Sequence, residues 1–349
     1  MSGRILLGGV GATLTPMSVR GDPPSHRPVA LVTASFRGAG LERLGEVCQV
    51  ELDSWLDHSP IRIWDGEKLA ERVDDLGATV LVCEADFVQG EVLDRPLRLI
   101  GSTRGDPSNV DVATATARGI PVLHTPGRNA DAVAEMTVAL LLAVTRRVLP
   151  ADRDVRQLAV FRDGTLPYQR YRAWQIAGRT VGLIGLGAVG RATRWRLTGL
   201  GMRVISFDPY SADATHATLE TLLADADVIS MHAAPTAETM GMMGAEQFAA
   251  MRPGAVYLNA ARAGLHDTEA LADALLAGHL SGAGLDHFDG EQLPAGHRLL
   301  TMDQVVLTPH IGGATYDTEV IHSQMIADDV ARVLRGDRPL HCINPEVLP

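Results

Sequence analysis

Val181-Gly182-Leu183-Ile184-Gly185-Leu186-Gly187-Ala188-Val189-Gly190 is the stretch whose reading decides the fold of this chain. An apolar run ends in Gly-x-Gly-x-x-Gly, and an amphipathic segment follows from Val189 to Leu200. A second apolar run, Arg203–Phe207, then ends at Asp208. In a chain with 35 glycines the three glycines alone would mean little. Strand, glycine turn, helix, strand and acid, in that order, read as a dinucleotide-binding unit. Gly185 permits the tight turn, Gly187 lets the backbone approach a pyrophosphate, and Gly190 lets the helix pack close to the strand. The N–H groups that open the helix, beginning at Ala188 and Val189, face the phosphates. Asp208 is placed to accept hydrogen bonds from the adenosine ribose hydroxyls and to repel a 2′-phosphate, which favours NAD over NADP. Arg203 begins the same strand, too far back to clamp a 2′-phosphate.

Outward from this unit the alternation continues. Strand-like runs are expected at Thr180–Ile184, Arg203–Phe207, Asp227–Met231, Ala255–Leu258, Gly282–Leu285 and Val305–Leu307. Helical segments at Val189–Leu200, Leu219–Asp225, Ala245–Met251 and Thr268–Ala277 lie between most of them, which predicts a doubly wound parallel sheet. Upstream, Val29–Val32, Val80–Cys83 and Leu97–Ile100 read as strands and Gly66–Leu76 as a helix, a second βα block reaching to about His124. Between the blocks lies a helix, capped by Asn129 or Asp131 and apolar at most positions from Ala132 to Val144. A helix apolar nearly all round must be covered on every side, by its own core or by a second subunit. Thr315–Leu334 has helical spacing and is expected to cross back onto the first block.

Composition narrows the partners. The chain has 349 residues, enough for two domains, and a formal charge of −11, which argues against a nucleic-acid surface. No apolar run reaches the roughly 20 residues of a membrane span. Cys48, Cys83 and Cys342 are far apart and form no Cys-x-x-Cys pair, so neither a disulfide framework nor a cysteine metal site is expected, and the cytoplasm is the expected compartment. Residues 1–28, rich in Gly and Pro, read as a flexible leader. Arg4 and the run Ile5–Ala12, broken by three glycines, leave a signal peptide as the alternative.

Three residues downstream of the glycine loop carry the chemistry. Arg262, Glu291 and His310 each follow a strand-like run, on the side where such sheets bind ligands. A fixed cation, a carboxylate and an imidazole suit hydride transfer to a 2-oxo acid. The arginine holds the substrate carboxylate and polarises the ketone, the imidazole supplies the proton, and the carboxylate favours the charged imidazole. Taken singly, each would read as a salt-bridge partner, a packed residue or a solvent-facing acid.

The chain resembles the D-isomer-specific 2-hydroxyacid dehydrogenase family, and within it the phosphoglycerate-dehydrogenase-like branch. The resemblance rests on Asn129-Ala-Asp-Ala-Val-Ala-Glu135, the glycine loop through Asp208, and Met251-Arg-Pro-Gly-Ala-Val-Tyr-Leu-Asn-Ala-Ala-Arg262. It also rests on Gly284-Leu-Asp-His-Phe, Leu307-Thr-Pro-His-Ile-Gly-Gly-Ala-Thr315 and Asn344-Pro345. It is strong from about Leu97 to Leu348 and weak before that. It implies an α/β fold of two doubly wound domains, a Rossmann NAD-binding domain (125–312) inserted into a flavodoxin-like substrate domain (29–124 and 313–349). A dimerisation helix is implied at about 131–147. By position, Arg262 matches the substrate-binding arginine, Glu291 its carboxylate partner and His310 the acid/base. Asp286 matches a residue near the nicotinamide amide. Pro209, His232, Ala233, Ala260, His310 and Gly312 are further expected cofactor contacts, although a structural role for the His232 side chain is an equal reading. NAD as cofactor, a small anionic 2-oxo or 2-hydroxy acid as substrate and a homodimer follow from the same resemblance.

The sequence departs from the family in one place that bears on substrate. Where relatives carry a Gly-x-Gly loop whose N–H groups grip the substrate carboxylate, this chain reads Ser102-Thr103-Arg104-Gly105-Asp106-Pro107-Ser108-Asn109. Pro107 has no N–H to offer. Arg104, beside Gly105, either points into the cleft toward a second anionic group or pairs with Asp106 and shapes the loop. Gln292 replaces a proline after the carboxylate, and His287 replaces an apolar residue after Asp286. The rivals to a dehydrogenase are an NAD(H)-binding regulatory protein of corepressor type, and an enzyme acting on another small anion such as formate or phosphite. Turnover of a 2-oxo acid separates the first, and an inert His310 substitution would favour the second.

Overall fold

The structure, a computed structural model, describes residues 27–348. The leader expected over residues 1–28, with its Arg4 and Ile5–Ala12, lies outside the described residues except for Arg27 and Pro28. The first unit runs β1 (Val29–Val32), α1 (Gly38–Val47), β2 (Gln49–Leu52), α2 (Gly66–Leu76), β3 (Val80–Cys83), β4 (Leu99–Ser102), α3 (Val112–Ala117) and β5 (Val122–Leu123). Its strands are parallel in the order β2-β1-β3-β4-β5, the flavodoxin-like arrangement. Three helices follow, α4 (Ala130–Thr145), α5 (Val148–Arg156) and α6 (Pro167–Arg170).

The second unit contains β6 (Thr180–Ile184), α7 (Ala188–Gly199), β7 (Arg203–Phe207), α8 (Leu219–Asp225) and β8 (Val228–Met231). It continues through α9 (Ala245–Ala250), β9 (Ala255–Asn259), α10 (Thr268–Leu276), β10 (Leu280–Leu285) and β11 (Val305–Leu307). All its strands are parallel, in the order β7-β6-β8-β9-β10-β11. β6 and β9 are buried along their whole length, as sheets covered by helices on both faces require. The strand order reverses between β6 and β8, where the glycine loop leaves the sheet.

The last helix, α11 (Tyr316–Arg335), returns to the first unit. Its Ile326, Ala327 and Val330 share a core with Val32, Val82, Leu99 and Leu44 of α1. The chain end adds to the same unit, where Ile343 N donates to Val122 O and Asn344 Oδ1 accepts from Val122 N. α4 lies close on the second sheet because β10 has glycines beneath it. A Cβ at Gly282 would meet Val144 at 2.6 Å, and one at Gly284 would meet Leu140 at 3.0 Å. The expected capping of this helix is corrected. Asn129 occupies the N-cap position without a side-chain capping bond, and Asp131 pairs with Arg196 of α7. A Cβ at Gly313 would sit 2.9 Å from Asn129 Nδ2, so the two crossings between units run side by side. The helix also stops at Thr145, and Arg147 takes a left-handed conformation before α5 begins. Among the described residues, no helix is long and apolar enough to cross a membrane.

Candidate active site

The expected site residues come together because each follows the carboxyl end of a parallel strand. Gly185, Gly187 and Gly190 follow β6, Asp208 and Pro209 follow β7, and His232 and Ala233 follow β8. Ala260 and Arg262 follow β9, Asp286 and Glu291 follow β10, and His310 and Gly312 follow β11. The strands carrying Arg262, Glu291 and His310 are three consecutive neighbours, β9-β10-β11.

The glycine loop has the shape its sequence calls for. Gly185 has φ +96°, and a Cβ there would meet Ala233 N at 2.7 Å. A Cβ on Gly190 would lie 2.1 Å from Gly185 O, so α7 can approach the turn only as glycine. Gly187, by contrast, is the N-cap of α7 in an extended conformation with no side-chain cap, and a Cβ there would meet nothing within 4 Å. That open space above free helix N–H groups is a cradle suited to a pyrophosphate. Ala188 is exposed and Val189 half-buried beside it. Asp208 Oδ2 accepts from Leu186 N at 2.7 Å and Oδ1 from Tyr210 N at 2.9 Å, which ties the acid to the loop. His232 is buried; its Nε2 meets Ser230 Oγ at 2.8 Å while Nδ1 has no partner. Burial pulls its pKa down to about 4, so the ring is neutral. The cradle, the acid and this orphaned nitrogen fit a dinucleotide.

At the other end of the site, His310 Nδ1 lies 3.0 Å from both Oε1 and Oε2 of Glu291. An ionised carboxylate only accepts, so against it Nδ1 carries the hydrogen, and Nε2 forms no hydrogen bond to a described residue. The pair is open to solvent, with side chains 42% and 67% exposed. Both residues have left-handed backbones, φ 54° and 64°, a strain that persists only where the surroundings impose it. For His310 the surroundings are Asp286. Its Oδ1 accepts from Thr308 Oγ1 at 2.5 Å and Ile311 N at 3.0 Å, and its Oδ2 accepts from Gly312 N at 2.7 Å. The Asp286 carboxylate thus spends its hydrogen bonds on the turn itself. The residue is fully buried and holds the turn that presents His310, and Gly312 is part of that clamp.

Arg262 is exposed, and its Nη1 donates to Ala261 O at 2.7 Å. Among the described residues it forms no ion pair within 4 Å. The sequence reading overlooked what positions it. Asn259, at the end of β9, donates from Nδ2 to Arg262 O at 2.8 Å and to His266 Nδ1 at 2.8 Å, and accepts from Ala261 N. The asparagine within Leu-Asn-Ala-Ala-Arg is the signal that could have marked it.

On the first unit, Arg104 follows β4, half-buried. Among the described residues it pairs with no carboxylate within 4 Å, Asp106 included, so the reading in which that pair shapes the loop is corrected. The loop is shaped instead by Thr125 N donating to Arg104 O, His124 Nδ1 meeting Gly105 O at 2.8 Å, and buried Asn109, whose Oδ1 accepts from Ser102 Oγ. Arg104 thus remains a free cation at the carboxyl edge of the first sheet.

Comparison with known proteins shows what the chain is similar to. Residues 138–312 match the family described as D-isomer specific 2-hydroxyacid dehydrogenase, NAD binding domain. The chain is 36% identical over 334 residues to a glyoxylate reductase of Thermofilum pendens, covering 92% of this chain and 96% of that one. It is 35% identical over 319 residues to D-3-phosphoglycerate dehydrogenase of Mycobacterium bovis, covering 89% of this chain but 57% of that longer protein. The crystal structure of the TT0316 protein of Thermus thermophilus superimposes with a TM-score of 0.77 at 37% identity, covering 90% and 99% of the two chains.

Proposed function

The chain belongs to the D-isomer specific 2-hydroxyacid dehydrogenase family, and on that premise we propose that it reduces a 2-oxo acid to the D-2-hydroxy acid, and reverses that reaction, with NAD as its preferred cofactor. It is a nicotinamide-dependent oxidoreductase of CH–OH donors. The bound nicotinamide supplies or accepts the hydride. The chain's own residues do the rest. Arg262 binds the substrate carboxylate and polarises the 2-oxo oxygen through charge-assisted hydrogen bonds. His310 donates a proton from Nε2 to the oxygen as the alcohol forms and takes it back in the other direction. Glu291 holds the ring through Nδ1 and offsets its charge. The observation that carries this reading is the His310–Glu291 hydrogen-bonded pair, presented from β11 and β10, the two strands that follow β9 and its Arg262 across the sheet. NAD rather than NADP is favoured by the Asp208 carboxylate, fixed at the ribose end of the cradle.

Arg104 is assigned to a second anionic group on the substrate, a distal carboxylate or a phosphate. The Ala139 and Leu142 side of α4 is uncovered in one chain, as are Leu158, Phe161 and Trp174 in the segment that follows. A second copy of the chain is their proposed cover, measurable as a dimer mass by light scattering. The protein is proposed to work in the cytoplasm. Chiral analysis of the product tests the central reaction. The D-hydroxy acid, formed with a higher kcat/KM for NADH than for NADPH, supports the reading, and an L-product or a preference for NADPH contradicts it.

A further inference from the structure

The end of β10 places two successive residues beneath His310. The first, Asp286, fixes the backbone of the turn through Ile311 N and Gly312 N. It does not reach the ring. The ring's visible restraint is the hydrogen bond to Glu291, an exposed residue in a polar loop, and exposed pairs of this kind hold weakly. That is a weak hold for a group whose orientation decides proton transfer.

The second residue is His287. It is 7% exposed, and its ring centroid lies 3.8 Å from that of His310, with the planes at 51°. No hydrogen bond joins it to any described residue, so packing alone holds it. The charged and titratable groups around it are His310, Arg262, Asp286 and Glu291. Burial outweighs them, and the two cations push the same way, so the His287 pKa is pulled down to about 4 and the ring is neutral at working pH. A buried, neutral, flat ring is a favourable neighbour for the more exposed His310 ring. It adds a packing surface and no competing charge.

We propose that His287 is a positioning residue for the acid/base pair, its immobile ring forming the back wall that keeps His310 turned with Nδ1 on Glu291 and Nε2 toward the substrate. Asp286 sets where His310 begins, His287 sets which way its ring faces, and Glu291 completes the third side. The proposal rests on the assignment of His310 as the acid/base.

Two variants and two readouts test it. In His287→Ala the wall is removed; in His287→Phe it is kept without a titratable group. With an active 2-oxo acid and NADH, H287A should lose about tenfold in kcat with KM changed less than about threefold, and H287F should recover most of that loss. In the protein without substrate, the imidazole NMR signals of His310 should shift and broaden in H287A and return toward the wild-type positions in H287F. Wild-type kcat and unmoved His310 signals in H287A would overturn the proposal. So would equal losses in both variants at unchanged melting temperature, since a ring alone would then not be what His310 needs. If the wild type turns over no 2-oxo acid, the catalytic assignment fails. The NMR comparison still decides whether His287 orients the His310 ring.

Discussion

Adding one methyl group at Gly187 separates the fold of the cradle from its use. Gly187 is exposed and extended, and its added Cβ would touch no atom of the chain within 4 Å. Gly187→Ala should therefore cost the protein alone little. The loss of a glycine N-cap, a few tenths to about 1 kcal/mol, is offset by a less flexible unfolded chain, about 0.4–1 kcal/mol. Bound cofactor changes the result, because the methyl then stands where a pyrophosphate must approach the α7 N–H groups. Overpacking of a tight contact costs about 1–3 kcal/mol, so the Kd for NADH should rise about 5- to 150-fold. Gly190→Ala is the contrasting variant. Its Cβ would fall 2.1 Å from Gly185 O, so it should lower both the melting temperature and the affinity. The assay is an NADH fluorescence titration paired with thermal melts of the cofactor-free protein. Wild-type NADH affinity in G187A would refute the placement of the pyrophosphate, and a large drop in its melting temperature would refute the description of the loop.

Arg262→Ala should reduce kcat/KM by about 10²–10³-fold and leave the melting temperature unchanged, since among the described residues the one side-chain hydrogen bond lost is to a neighbouring carbonyl; a destabilised variant would contradict this. Arg104→Ala should raise KM about tenfold or more for doubly anionic 2-oxo acids and hardly at all for glyoxylate, which steady-state kinetics on both substrates would show. His232, His266 and His287 are buried with folded pKa values near 4, below the ordinary 6.5. The unfolded chain therefore binds more protons between these values, and stability falls as pH drops through 6.5 toward 4. Each histidine costs about 2 kcal/mol or less at pH 5. Urea denaturation at pH 7 and pH 5 checks this, and an unchanged midpoint would contradict it.

The second sheet was legible because its central strands are apolar runs buried on both faces and its first turn carries Gly185 and Gly190, where a Cβ would strike backbone. The first unit was read less fully for physical reasons. β2 is an edge strand whose Gln49, Glu51 and Leu52 face solvent, so it shows no buried run. β5 has two residues. α1 contains Gly38, Gly40 and Gly45, a poor helix by propensity. It holds because Gly40 sits against the backbone of α11, where a Cβ would lie 2.3 Å from Ser323 C, a contact between residues far apart in sequence. Residue types at the site were legible too, since Arg262, Glu291, His310 and Asp208 stand where strands end. Their supports were not. The Asp286 clamp, the Asn259 hinge of the Arg262 turn and the His287 wall depend on which side chains face inward after the last strand residue, which a linear pattern does not encode.

The most direct test of the account is NADH oxidation at neutral pH by the wild type and by His310→Asn, across glyoxylate, hydroxypyruvate, its phosphate ester, oxaloacetate and 2-oxoglutarate. The wild type should turn over at least one 2-oxo acid, fastest a doubly anionic one, and H310N should lose that turnover with NADH binding intact. Turnover that survives H310N, or a wild type that binds NADH and reduces none of these acids, would contradict it.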